Sequence, residues 1–257
     1  MKKNKLCRDL GTARKRFRVW LKRPLGRLLR EHERRQIRKT IANLFGYHIL
    51  QLGTLIPEDD LLGASRIRHK LVTDPSDKGA GVLCAFERIP LASDGIDAVV
   101  APHILEFADE PHEVLREIER ILIPEGRVLL TVFNPWSLWG LWSLILGRSG
   151  RVPWCGQFLT SGRLHDWLLL LGFEVEKEVS FFYRPPFQSG GIMRRLRFIE
   201  RIGAGAWPIL GGVNLILARK RVVAMTPIQL KKRRRRRMVP AGVVEPTTRS
   251  AKRVGKS

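Results

Sequence analysis

Between residues 47 and 220 short apolar runs alternate with helical stretches, and no other feature of the 257-residue chain limits its fold as strongly. The runs are "YHILQL", "HKLVT", "GVLCAF", "IDAVVA", "RVLLTVF", "FEVEKEVSFF" and "NLILARK". Strands apolar on both faces, separated by helices, are characteristic of a parallel sheet with crossover helices. The expected fold is α/β: a doubly wound, mostly parallel seven-stranded sheet. The last two runs have no full helix between them, which predicts a C-terminal antiparallel hairpin at the sheet edge. In "DEPHEVLREIERILIPEG", Asp109 is placed to cap, Pro111 sits in the first turn, and Val114, Leu115, Ile118, Ile121 and Leu122 make one apolar face before Pro124 and Gly126 stop the helix. A second helix, in "LTSGRLHDWLLLLGF", starts at Thr160 or Ser161 and ends at Gly172.

The net charge of +23 lies at the two ends. Residues 1–46 hold 16 Lys and Arg against 3 acidic residues and residues 219–257 hold 14 against 1, which leaves the middle of the chain at −3. Three segments follow: a basic helical N-terminal extension (1–46), an α/β domain (47–222) and a polybasic tail (223–257). In the first, Phe17, Trp20, Leu21, Leu25, Leu28 and Leu29 recur at helical spacing between cations, with a break at Pro24. Two uses stand for it, a helix pair packed on the core or a docking element for nucleic acid or an anionic membrane surface. The tail carries seven consecutive cations at 231–237 and too few apolar residues to offset its ordering entropy, so disorder is expected there.

Cys7, Cys84 and Cys155 form no CxxC or Cys/His cluster, which points to a reducing compartment and to no metal site. The longest apolar stretch, "WSLWGLWSLILG", is too short to span a bilayer, and the N-terminus lacks the apolar run of a secretory signal. The expectation is a cytoplasmic protein with no transmembrane segment.

The segment at 90–130 carries the most specific pattern. Its pieces "IPLASDGIDAVV", "ILEFADEP" and "VLREIERILIPEGRVLL" resemble, in register, the middle of class I S-adenosylmethionine-dependent methyltransferases of the type 11 group. A looser resemblance extends over 47–220. It implies a Rossmann-like methyltransferase fold, S-adenosylmethionine as cofactor and a methyl acceptor still to be identified.

In a doubly wound sheet, ligands lie beyond the carboxyl ends of the strands where the strand order reverses. After the first run the family has an acidic residue and G-x-G-x-G; this chain has Gln51, Gly53, Thr54, Leu55 and Pro57, with one glycine of the three. "PEDDLL" offers the start of a short helix. After the second run, Asp74 stands where an acidic side chain accepts from both ribose hydroxyls, although Asp before Pro is also a common turn residue. After the third, Ala85 replaces the family's adenine-binding Asp; Phe86 is placed to pack on the adenine or in the core, and Glu87 matches a commonly acidic position. The resemblance thus assigns Gln51, Gly53, Thr54, Asp74, Phe86 and Glu87 to the cofactor. His103 falls beside the transferred methyl group, as a base, a substrate contact or a structural residue, with Glu106 orienting the loop. The tryptophans of "FNPWSLWGLW" cover the crevice or pack on the first extension. Two functions remain: a methyltransferase with an unusual cofactor turn, or a non-catalytic protein of the same fold that binds nucleic acid through its basic arms.

Overall fold

A computed structural model describes residues 10–56, 60–75, 80–146, 152–185 and 210–221. Helices α1 (Leu10–Leu21) and α2 (Pro24–Ile41) precede strand β1 (His48–Leu52). Strand β2 (His69–Thr73) follows, then β3 (Ile96–Pro102), α3 (Pro111–Ile121), β4 (Leu122–Phe133), α4 (Leu138–Leu146), α5 (Ser161–Leu170), β5 (Phe173–Phe181) and β6 (Val213–Lys220). The sheet runs β2-β1-β3-β4-β6-β5. The first four strands in that order are parallel, and β6 is antiparallel to both β4 and β5. The expected antiparallel closing pair is therefore present, with β6 inside the sheet and β5 at its edge.

Six strands, not seven, are found among the described residues. The "GVLCAF" segment makes a single bridge, Thr73 to Val82. Its position explains this: it lies outside edge strand β2, which exposes His69 and Lys70 and offers little apolar surface to hold another strand.

Strand residues alternate between two core layers, as the pleat requires. Ile49, Ala98, Val100, Leu129, Phe133 and Leu215 pack with Phe17, Trp20, Leu21, Leu25, Leu29 and Ile37 from α1 and α2. Leu50, Val99, Val128, Leu130 and Ile216 pack on the opposite face with Val114, Leu115, Ile118, Leu164 and Leu168 from α3 and α5. Helices on both faces make the sheet doubly wound. The N-terminal helix pair thus packs on the core, and Pro24 opens α2 at a position where its missing N–H costs nothing. Burying Phe17, Trp20 and Leu21 stabilises that docking by roughly 1.5–3 kcal/mol each.

Helix α3 buries the predicted Val114, Leu115, Ile118 and Ile121 face, but its N-cap is Glu110 rather than Asp109, because Pro111 fixes the first helical residue. Helix α5 is capped by Thr160, whose side chain accepts from the Arg163 N–H at 3.3 Å, and Gly172 follows it with φ of +78°. The first half of "PEDDLL", residues 57–59, lies outside the described residues, and a 3₁₀ turn, Leu62–Ala64, begins at its last residue. The polybasic tail also lies outside them. Among the described residues no helix is long and apolar enough to cross a membrane. Cys155 is disulfide-bonded and Cys84 is a free thiol, so cysteine usage no longer argues for a reducing compartment.

Candidate active site at the carboxyl ends of the strands

The strand order reverses between β1 and β3, so a ligand crevice belongs at the carboxyl ends of these two strands. Most of the residues singled out from sequence meet there. β1 ends in Gln51 and Leu52, and its chain turns at Gly53, whose φ of +76° lies in the left-handed region that glycine occupies without strain. The turn is pinned from two sides: Gly53 N–H donates to the Thr73 carbonyl at 2.6 Å, and Gln51 Nε2 donates to the Gly53 carbonyl at 3.0 Å. Thr54 N–H then donates to Asp74 Oδ2 at 2.9 Å, which ties the end of β1 to the end of β2. Phe86 is fully buried beside this turn, whereas Glu87 is half-buried and Ala85 exposed.

Two further partners of Asp74 come from α1. Arg18 donates through Nη2 to Asp74 Oδ2 at 2.6 Å and through Nε to the Thr54 carbonyl at 2.8 Å. The Arg14 guanidinium lies 3.5 Å from the same carboxylate oxygen and 5.3 Å from the centre of the Phe86 ring. It occupies the face of Gly53 where a side chain would start: a Cβ there would meet Arg14 Nη2 at 2.1 Å and Ile104 Cδ1 at 2.8 Å. Burial, opposed by Asp74, lowers the Arg14 guanidinium to about 10. Its Nε and Nη1 have no hydrogen-bond acceptor among the described residues.

At the end of β3, His103 adopts φ of +49° with its N–H on the Thr131 carbonyl. Its ring is buried between two carboxylates, with Nδ1 at 2.8 Å from Glu106 Oε1 and Nε2 at 3.4 Å from Glu33 Oε1. Glu106 Oε1 also accepts from the Phe133 N–H at 2.7 Å, and Glu33 Oε1 accepts from Thr131 Oγ1 at 2.6 Å. Burial alone would lower the His103 pKa. Glu33 and Glu106 together outweigh it and push the imidazole up to about 10. Phe17 of α1 closes the pocket edge-on at 5.3 Å, and Phe133 stacks on the ring at 4.3 Å.

Three of the assembled side chains were not singled out from sequence: Arg14 and Arg18 of α1, and Glu33 of α2. A signal for two of them was there. Arg14 stands one helical turn before Phe17 on the buried side of α1, and Glu33 stands four residues after Leu29 and four before Ile37 on the buried side of α2. A charge on an apolar stripe is rarely buried unless paired. In the "FNPWSLWGLW" stretch, Trp139 packs edge-on against Trp20 at 5.8 Å and stacks with Phe133 at the same distance, so it joins α1 to the core; Trp136 is largely exposed.

Residues 65–130 match the family described as a methyltransferase domain. The uncharacterized protein YafS of Escherichia coli (strain K12) is 30% identical over 207 residues, which is 80% of this chain and 82% of that one. The malonyl-[acyl-carrier protein] O-methyltransferase of Methylovorus sp. is 27% identical over 124 residues, covering 48% of this chain and 42% of its own length. Among solved structures, a SAM-dependent methyltransferase from Archaeoglobus fulgidus superposes with a TM-score of 0.53 at 21% identity, covering 74% of this chain and 94% of that one. Another from Thermotoga maritima gives 0.53 at 18% identity, covering 76% and 97%. By its matched domain, its sheet and its long relative, the chain belongs to the class I S-adenosylmethionine-dependent methyltransferases, whose cofactor is S-adenosylmethionine.

Proposed function

We propose that the chain transfers the methyl group of S-adenosylmethionine to an acceptor held in the crevice beside His103. The observation that carries this reading is the joined turn of β1 and β2: Asp74, buried at the switch point, with Gly53 and Thr54 folded against it. The residues fit the cofactor. Asp74 is a carboxylate at the position that accepts from ribose hydroxyls, Phe86 offers an apolar ring at its side, and Gly53 lets the Arg14 guanidinium lie against the turn where a Cβ would exclude it. Gln51 holds the turn, Thr54 holds the carboxylate, and Glu87 is the outermost of the assigned contacts.

The cofactor supplies a methyl group already activated on a sulfonium. What the protein adds is alignment of donor and acceptor and exclusion of water. Phe17 and Phe133, packed on His103, and Phe107, tilted against Phe17, provide the dry walls. Its pKa, raised to about 10 by Glu33 and Glu106, makes His103 an imidazolium whose ring nitrogens face those carboxylates, so its proposed role is to fix the floor of the site electrostatically rather than to take a proton from the acceptor. The basic arm as a nucleic-acid element is the weaker reading for α1, because Arg14 and Arg18 face Asp74 rather than outward.

Asp74→Asn keeps the shape and removes the charge that strengthens the ribose hydrogen bonds. Calorimetry with S-adenosylhomocysteine should show affinity weakened by about 2–3 kcal/mol, with the melting temperature recorded beside it. Equal binding by both proteins would refute the ribose assignment.

A further inference from the structure

The crevice holds a buried cation at the place where this chain lacks the family's glycines. A glycine-rich turn ordinarily offers backbone N–H groups to the cofactor's methionine portion. Here Gly53 N–H is already spent on Thr73 and Thr54 N–H on Asp74, and among the described residues the helical piece that follows is one 3₁₀ turn of three residues. Another group has to meet the carboxylate of a bound amino acid.

Arg14 is placed for it. Its guanidinium lies against Gly53, is fully buried, and has two nitrogens without an acceptor among the described residues. Its present anion is Asp74, the group that the ribose hydroxyls need. When a ribose takes Asp74, Arg14 must either leave with α1 or gain an anion closer than Glu106, which acts on it from farther off. Leaving is the costlier course, because Phe17, Trp20 and Leu21 on the same helix are buried in the core and would be carried into water. The ligand itself brings that anion, its own carboxylate.

We propose that Arg14 is a cofactor-binding residue which exchanges Asp74 for the α-carboxylate of the methionine moiety, so that a side chain from the N-terminal helix replaces the missing backbone donors. Arg18 stays on the Thr54 carbonyl and keeps the turn closed. This rests on the cofactor reading above and deepens it.

The test compares two ligands that differ in the carboxylate. S-adenosylhomocysteine carries it and 5′-methylthioadenosine does not. Arg14→Met preserves the apolar stem and removes the charge; Arg14→Lys restores a cation without the planar fork. Calorimetry on the full chain should show Arg14→Met weakening S-adenosylhomocysteine by roughly thirtyfold or more while leaving 5′-methylthioadenosine within about threefold of wild type, and Arg14→Lys recovering part of the loss. Hydrogen exchange on the wild-type protein should show α1 amides slowing when S-adenosylhomocysteine is added, a readout that needs no variant. Equal weakening of both ligands overturns the carboxylate assignment. Tighter binding by Arg14→Met, or faster exchange in α1 on ligand addition, also overturns it and makes α1 a plug that the cofactor expels. Absence of S-adenosylhomocysteine binding to the wild type at millimolar concentration overturns the cofactor reading itself, and this proposal with it.

Discussion

His103 shows how a single residue couples the site to pH. Its imidazole faces Glu33 from α2 and Glu106 from its own loop, with the Thr131 hydroxyl on Glu33 and the Arg14 guanidinium near Glu106. The folded pKa is raised from 6.5 to about 10, so the folded state binds the proton more tightly than the unfolded chain does. The stability this contributes is fully present below pH 6.5 and is lost as pH climbs towards 10. Arg14, lowered by burial to about 10, acts in the opposite sense and only above that range. Melting temperatures measured from pH 6 to pH 9.5 should therefore fall for the wild type and fall less steeply for Glu33→Gln, which removes the stronger Coulombic partner; parallel curves would show that Glu33 does not hold the proton. Gly53, Thr54 and Asp74 were legible in sequence because the ends of consecutive strands converge in any doubly wound sheet. Arg14 and Glu33 were not, since a residue whose partner lies 60 or 98 positions away gives no local pattern beyond a charge on the wrong side of a helix.

Among the elements, those with a strong period and clear punctuation were the readable ones. The apolar face of α3 and the cap and stop of α5 follow from local sequence. "GVLCAF" did not become a strand, because pairing depends on a neighbour that supplies apolar surface, and β2 exposes its polar residues. The interior position of β6 was equally hidden: antiparallel pairing to β4 is a long-range choice. Gly172 makes the element-scale prediction. It ends α5 with φ of +78°, and a Cβ there would lie 3.5 Å from the Arg221 carbonyl, an ordinary contact. Gly172→Ala should therefore cost about 1 kcal/mol through backbone strain alone, measured by urea unfolding with an unchanged m-value. A much larger loss would mean that packing, not conformation, demands the glycine.

For the whole molecule, the described residues all lie within one compact unit, and the polybasic tail lies outside them. The polybasic tail is proposed to act as a polyelectrolyte. Deleting residues 223–257 should leave the melting temperature unchanged and remove most binding to polyanions, with log K of the intact chain falling by roughly 0.7–0.9 per phosphate neutralised as salt rises. RNA, DNA and anionic vesicles compared in parallel identify the partner class, and undiminished binding by the truncated chain would move the contact surface elsewhere.

The docking of α1 and α2 has a consequence for synthesis on the ribosome. Two of their charged side chains find partners far downstream: Arg18 waits 56 residues for Asp74, and Glu33 waits 98 for Thr131. Domains fold during translation as their strands emerge, so the helix pair is made first and seated late. Until β4 has left the exit tunnel, a basic amphipathic hairpin bearing Phe17 and Trp20 stands uncovered, which makes the nascent chain, rather than the finished protein, the species most dependent on chaperones.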